Sequence, residues 1–369
     1  MQAKDHKNDN GIEIVFIGPS YGESILIKDN ENNWFVIDSC IDLATKESLP
    51  LKYLSDVGVN TVERVKMIII THWHDDHIRG ISQLCEKCDN ASIVIPLTFG
   101  QREFVNIFSY SITDELGFRR SGNLREMLRV INVVDQKQLE LIYAKQNETI
   151  FQSNNSENKL SIFALSPGNL DYRLSCSGIA RAYKSILDGG RLHDDRINPN
   201  LFSIALLIKI GKSSLLLGGD LEVHPDPRRG IDNALKSHCL SDNISGLYKV
   251  AHHGSKTAYH KQLGQSLRKD NFSIITPWRK GRNAIPTCSE IELHKQHSDQ
   301  LFITAKPRNS KPIKKRSNMI DKAMRDATNF RYLYSVAKPG HIIMKAKYSD
   351  LVSGNNKWEI ALSNQSEKL

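Results

Sequence analysis

Long apolar runs are missing from this chain. No stretch reaches the roughly 20 apolar residues that a membrane-spanning helix needs. The first ten residues, Met1 to Asn10, are polar and lack the apolar core of a secretion signal. The expectation is a cytoplasmic protein with no membrane partner and a disordered stretch at residues 1–10. Cysteine is scarce, with 6 in 369 residues, which excludes a disulfide scaffold. Cys85 and Cys88 form a Cys-x-x-Cys with no second pair nearby. They fall on a stretch that reads as helix, so packing is expected rather than a zinc or redox role. No Walker loop, dinucleotide fingerprint or internal repeat is present. Acidic residues are the scarcer charge, 41 against 50 Lys and Arg, leaving a net charge of +9. A positive balance favours a polyanion such as nucleic acid, or an anionic membrane surface. A hydrophobic content of 40% and a charged content of 25% are those of an ordinary globular chain.

Against that background one stretch concentrates chemistry. Val65 to Ile70 is a short apolar run, read as a buried strand, and Thr71-His72-Trp73-His74-Asp75-Asp76-His77 follows it directly. Side chains alternate along an extended segment, so His72 and His74 can point to the same side just past the strand end. Asp76 and His77 come next, before a helix that begins near Ile78. Imidazole and carboxylate together suit zinc, manganese or iron, and a catalytic site keeps one position open for water. Four potential ligands in six residues fill one site or begin two.

Strands are expected at Ile12 to Gly18, Ser24 to Lys28 and Trp34 to Asp38. The turn chemistry of Asp29 to Asn33 joins the last two into a hairpin. A helix from Pro50 to Val57, with Gly58 beyond its end, precedes the signature strand. Ala91 to Pro96 is a further strand, so strands and helices alternate as in a layered α/β fold. Residues 99–159 read as a helical insertion or lid, with helices at Arg102 to Phe108, Leu124 to Val130 and Gln136 to Ala144, and a short strand at Asn147 to Phe151. Lys159 to Pro167 reads as a strand. Residues 168–200 read as loop-like with a helical piece from Ser177 to Leu187. Strands follow at Asn200 to Lys209 and Ser213 to Asp220. Gly218 and Gly219 near the end of the second permit close backbone approach before Asp220. Leu247 to Val250 is a strand leading into His252-His253-Gly254-Ser255, and Asn271 to Pro277 another. Ser289 to His297 is a helix. Lys306 to Arg325 carries eight basic residues, among them Lys314, Lys315 and Arg316, against Asp321. That stretch contacts phosphate backbone or is a solvated loop. Arg279 and Arg282 are further candidates for binding phosphate. Strands at His341 to Ala346 and Trp358 to Leu362 close the chain.

The His72-x-His74-x-Asp76-His77 run resembles the signature of the metallo-β-lactamase superfamily. The opening strand, glycine-containing loop and hairpin ending in Ile37-Asp38 are similar to its ComEC-like branch, typified by the hydrolase domain of a DNA-uptake channel. So is His252-His253-Gly254-Ser255, while Gly219-Asp220 resembles the Gly-Asp motif of the superfamily. The resemblance covers roughly residues 11–305, with 99–159 unmatched, and leaves 306–369 as a basic C-terminal extension with closing strands. It implies an αββα four-layer sandwich with two divalent metal ions, zinc or manganese, at one edge. His72 and His74 would hold the first ion, Asp76 and His77 the second, and Asp220 would bridge both. His253 or His252 would complete the second ion, and His193 is the candidate for a further histidine. Asp38 would orient the ligand loop, and Glu222 would stand behind the ligands.

Relatives often carry Gly-His-Pro shortly after the strand at Asn271 to Pro277, whereas Asn283 to Thr287 has no histidine here. The activity implied is a metal-dependent hydrolase, a phosphodiesterase or nuclease acting on DNA or RNA through metal-activated water. Asp76 and Asp220 would be its catalytic carboxylates and nucleic acid its partner. The alternative is a hydrolase of a small ester, lactone, thioester or nucleotide signal.

Overall fold

Along the first strands, apolar side chains occupy consecutive positions and therefore line both faces, as in a sheet covered on both sides. The computed structural model describes residues 11–18, 22–100, 106, 122–153, 160–188, 198–240, 246–268, 270–280, 283–305 and 340–369. In chain order the first strands are β1 (Gly11–Gly18), β2 (Ser24–Lys28), β3 (Trp34–Ile37), β4 (Val65–Ile69), β5 (Ser92–Pro96) and β6 (Leu141–Ala144). Next come β7 (Thr149–Gln152), β8 (Leu160–Ala164), β9 (Leu206–Ile210), β10 (Ser213–Leu217), β11 (Gly246–Lys249) and β12 (Phe272–Ile275). The last are β13 (Trp278–Lys280), β14 (Asn283–Ile285), β15 (Gln300–Ile303), β16 (Gly340–Lys347), β17 (Glu359–Ser363) and β18 (Glu367–Lys368).

Two sheets of eight strands result. One runs β17-β16-β1-β2-β3-β4-β5-β6 and the other β18-β15-β12-β11-β10-β9-β8-β7, with β13 and β14 as a separate ribbon. Each sheet mixes antiparallel pairs with a parallel block: β3 to β6 in the first, and β10, β11, β12 and β15 in the second. Parallel strands end on the same side, and loops beyond such ends are where α/β sheets build their sites.

Three apolar layers separate the elements. Between the sheets, Ile12, Ile14 and Phe16 of β1 meet residues such as Leu206, Ile208, Leu215, Leu217 and Phe302 of the second sheet. The opposite face of the first sheet, with Val15, Ile17, Leu26 and Val36, packs on helical residues Leu54, Ile81, Leu84, Met127 and Val130. The opposite face of the second sheet, with Leu207, Leu216, Tyr248 and Ile275, packs on Ile231, Ala234, Leu263 and Ile291. Helix, sheet, sheet, helix is the expected four-layer sandwich. Phe16 is fully buried between the sheets, and truncating such a ring to alanine costs about 3–5 kcal/mol.

Several expectations are corrected. The stretch Gln136 to Ala144 is not a helix. The helix Gly122–Lys137 ends there, Gln138 takes φ 54°, and Leu141–Ala144 forms β6 alongside β5. The stretch expected as a lid thus adds β6 to one sheet and β7 to the other. Residues 168–200 are less loop-like than expected, because one helix spans Asn169–Leu187. The strand expected from Asn200 begins only at Leu206, after a 3₁₀ turn at Pro199–Phe202. Cys85 and Cys88 are fully buried in the layer between sheet and helices, as packing requires. Residues 1–10 and most of the helix expected at Arg102 to Phe108 lie outside the described residues. So does the basic stretch from Lys306 to Arg325. Among the described residues no helix is long and apolar enough to cross a membrane.

Candidate metal centre

The candidate residues reach one place because they follow the ends of neighbouring parallel strands. Asp38 follows β3, His72 to His77 follow β4, Asp220 follows β10, and His252 and His253 follow β11. His74 caps a one-turn helix, Asp75–Ile78, and accepts the His77 backbone N–H at 2.9 Å, which swings Asp76 and His77 back toward His72. At Gly218 a Cβ would lie 2.6 Å from that of Ala251. At Gly219, with φ +53°, it would lie 2.7 Å from the Ile204 carbonyl. Only glycine permits that approach at the end of β10. His252 and His253 both adopt left-handed backbone, with φ 43° and 55°. Such strain is uncommon outside glycine and is held where surrounding structure demands it. Here it folds the chain back so that His253 points inward.

The donor atoms form two adjoining groups. In the first, His72 Nε2 lies 3.0 Å from His74 Nδ1 and 3.5 Å from Asp220 Oδ2. In the second, His253 Nε2 lies 2.9 Å from Asp76 Oδ2 and 3.4 Å from His77 Nε2. The Asp220 carboxylate reaches both groups, with Oδ1 3.2 Å from His77 Nε2 and Oδ2 3.7 Å from His253 Nε2.

Outer partners fix which ring nitrogens carry hydrogen. The His253 Nδ1–H donates to the Thr276 carbonyl at 2.9 Å, and the His77 Nδ1–H to Asp38 Oδ2 at 2.7 Å. The Thr71 hydroxyl donates to Asp38 Oδ2 at 2.7 Å, so it accepts from His72 Nδ1 at 3.0 Å. All three rings therefore turn Nε2, the position left for a cation or a second proton, inward, toward one another and toward carboxylate oxygens. That arrangement repels itself unless a cation or protons sit among the atoms.

Electrostatics agree. Burial, and then the neighbouring His77, hold His72 well below its ordinary value, and burial lowers His74, so both are neutral donors. Burial also opposes a charge on His77 and His253. The carboxylates outweigh it, Asp220 foremost, raising His77 well above its usual value and His253 to about 9. Asp76 and Asp220 stay ionised far below the usual range despite burial, through His253 and His77 respectively. Asp220 Oδ1 is buried with no hydrogen-bond partner. An anionic oxygen without a hydrogen-bond partner, the neutral His72 and His74, and an excess of buried carboxylate together fit divalent cations, which would replace the protons on His77 and His253.

Asp38 stands where the sequence placed it. It accepts from the Thr71 N–H and the Thr71 hydroxyl, each at 2.7 Å, as well as from His77. Burial raises its own pKa, opposed by His77. Glu222 is not behind the donors. It sits at the rim and holds His252, with Oε1 2.9 Å from His252 Nδ1 and 2.9 Å from the Thr257 hydroxyl. His252 lies in neither donor group, and its Nδ1 is engaged by Glu222 and Thr257. Arg279 lies half-buried on the β13–β14 ribbon. His193, Arg282, Lys314, Lys315 and Arg316 lie outside the described residues.

Sequence reading missed Glu23, Lys249, Ser203 and Thr276. Ser203 Oγ accepts the Asp220 backbone N–H at 2.9 Å. Lys249 was detectable: it is a charged residue at an inward position of an otherwise apolar strand, which demands a buried acid.

Over residues 17–102 the chain matches the family model described as Metallo-beta-lactamase superfamily. Among solved structures it is similar to YhfI, a metallo-beta-lactamase fold protein from Bacillus subtilis. Identity is 11%, over 79% of this chain and 95% of that one, with a TM-score of 0.40. It is also similar to a metallo-beta-lactamase from Cronobacter sakazakii, at 12% identity over 60% of this chain and 67% of that one, with a TM-score of 0.31. No curated protein matches it. The matched stretch contains the whole His72 to His77 run, so over it the chain is similar to the metallo-beta-lactamase superfamily, and the two large sheets are consistent with that superfamily's sandwich.

Proposed function

We propose that this chain is a metal-dependent phosphodiesterase that cleaves nucleic acid. The observation that carries the hydrolase reading is the convergence of inward imidazole nitrogens and ionised carboxylates from both sheets, with Asp220 reaching both donor groups. His72, His74 and Asp220 would hold one cation, and Asp76, His77 and His253, with Asp220 within reach, would hold the other, as zinc or manganese. When bound, two divalent cations lower the pKa of water toward neutrality and polarise the phosphoryl group. The Asp76 carboxylate, held ionised by His253 despite its burial, would accept a hydrogen bond from the attacking water and orient it. Asp38 keeps the His77 ring in the one tautomer that points Nε2 inward.

Charge supports a polymeric polyanion as substrate. The net charge is +9, and Lys314, Lys315 and Arg316 stand in the most basic stretch of the chain. Arg279 lies on a ribbon that leaves the sheet just past Thr276, whose carbonyl holds His253. The His252-His253-Gly254-Ser255 motif adds its resemblance to the ComEC-like branch. The missing histidine at Asn283 to Thr287 leaves the contact to the scissile group to another side chain. We place the protein in the cytoplasm, with a domain that takes in 11–305 together with the closing strands β16 to β18.

The test is cleavage of single- and double-stranded DNA and RNA by purified protein in zinc or manganese, with His74→Ala as control. Metal-dependent cleavage that the variant lacks is the expected result. Metal bound without cleavage of any polymer would overturn the nuclease reading in favour of a small ester, lactone, thioester or nucleotide.

A further inference from the structure

Lys249 is fully buried at the end of β11, and Glu23 is almost as deeply buried just before β2. Along β11, Leu247 faces the layer between the sheets and Tyr248 the helices, so Lys249 turns into the inter-sheet layer. Its Nζ lies 2.6 Å from Glu23 Oε1 and 2.5 Å from Oε2. The pair therefore joins one sheet to the other. A buried ion pair is weak evidence for stability, because desolvating both charges offsets most of their attraction. This one is placed where another role explains it.

Glu23 stands directly behind two imidazoles that arrive from opposite sheets. Its Oε2 lies 3.3 Å from His253 Nδ1, and its Oε1 lies 3.8 Å from His77 Nδ1. The Thr276 hydroxyl donates to the same carboxylate, and the Thr276 carbonyl accepts from His253. The Glu23 backbone N–H donates to the Asp76 carbonyl at 2.8 Å. Gly22, at φ +99°, makes that contact possible, since a Cβ there would lie 2.9 Å from the same carbonyl oxygen. Glu23 thus touches Asp76, His77 and His253, and has no such contact with His72 or His74 among the described residues. Glu23, His77 and His253 could themselves surround a cation, but the Lys249 ammonium already takes both carboxylate oxygens.

We propose that the Glu23–Lys249 pair is a positioning strut for the second cation alone. Lys249 anchors the carboxylate, and the carboxylate fixes the Nδ1–H faces of His77 and His253. Both Nε2 atoms, one from each sheet, are thereby held at the separation that the second cation requires. The inference rests on the two-cation reading above. Partners of this kind behind ligating histidines commonly alter metal affinity 10–100-fold.

The test is titration of metal-free protein with manganese and with zinc against a chromogenic chelator, which reads each ion's affinity without any substrate. The principal variant is Glu23→Gln with Lys249→Met, which removes both charges together and leaves no unpaired buried charge. We expect cooperative unfolding near the wild-type temperature, an unchanged first ion, and a second ion weakened 10–100-fold. Anomalous scattering from crystals should place the retained manganese at His72 and His74. Two ions at wild-type affinity, or equal weakening of both, would overturn the strut. If the double variant fails to fold, Glu23→Asp keeps the charge but withdraws it by one methylene, and unchanged binding of both ions there overturns the proposal equally. A wild-type protein that binds one ion only overturns the two-cation reading, and the strut with it, and is distinct from either variant result.

Discussion

Asp38 Oδ2 accepts both the Thr71 hydroxyl and the His77 Nδ1–H, each at 2.7 Å, so one carboxylate oxygen governs both ends of the donor loop. The residues lie 33 and 39 positions apart in sequence and meet because β3 and β4 run parallel and end side by side. Asp38 itself has φ 57°, a conformation asparagine tolerates as well as aspartate. Asp38→Asn should therefore fold. It removes the anion behind His77 and offers an amide that no longer enforces the tautomer. Metal affinity should fall about 10–100-fold, read by chelator competition. Wild-type affinity would show that Asp38 caps its strand and nothing more.

The two adjacent histidines should separate cleanly. His253→Ala removes an inward nitrogen and should lose one of the two ions. His252→Ala leaves both donor groups intact, because that ring is held at the rim by Glu222 and Thr257. Metal content by elemental analysis distinguishes them, and loss of an ion in His252→Ala would contradict the assignment.

Gly219→Ala tests the close approach at the end of β10. The position needs φ +53° and has no room for a Cβ beside the Ile204 carbonyl. The strained backbone alone costs about 1–2 kcal/mol, and the contact forces Asp220 to move. We expect a lower melting temperature together with weakened binding of both ions, since Asp220 reaches both groups. Weakening of one ion only would show that Asp220 does not bridge.

Acid sensitivity has a local source away from the centre. Glu290 closes a capping box with Thr287 and also accepts the Lys256 N–H at 2.8 Å, just beyond His253 and Gly254. Burial opposes its charge, but these backbone donors outweigh it and hold its pKa below the usual 4.5. A carboxylate depressed in the folded state contributes stability above its unfolded pKa and loses it as pH falls through the folded value. The difference in melting temperature between wild type and Glu290→Gln should therefore be full at pH 7 and shrink below about pH 4.5. A difference that stays constant down to pH 3 would show that the charge is not involved.

Removing the metals should destabilise the protein in a manner its carboxylates predict. Glu23, Asp38, Asp76 and Asp220 are all buried, with Lys249 the one buried ammonium among them. A chelator should lower the melting temperature, and adding back zinc or manganese should restore it in proportion to concentration. A melting temperature indifferent to chelation would argue that the inward nitrogens hold protons rather than cations.

The local pattern of the chain determined much of this. Short apolar runs and turn chemistry placed β1, β2 and the β2–β3 hairpin, and the spacing of His72, His74, Asp76 and His77 marked the donor loop before any strand was paired. Those features are local, so neighbouring residues suffice to reveal them. The strand at Leu141–Ala144 was not legible, because its four residues extend only by pairing with β5, whose identity lies far back in the chain. The place of His253 directly before Gly254 favoured it over His252 as the inward ring without securing the choice. That depends on two successive left-handed residues held by Gly219 and Ala251, a matter of tertiary hydrogen bonds. Glu23 and Lys249 are 226 residues apart and carry no shared motif. Only the stacking of two sheets makes them neighbours, and only burial makes their charges consequential.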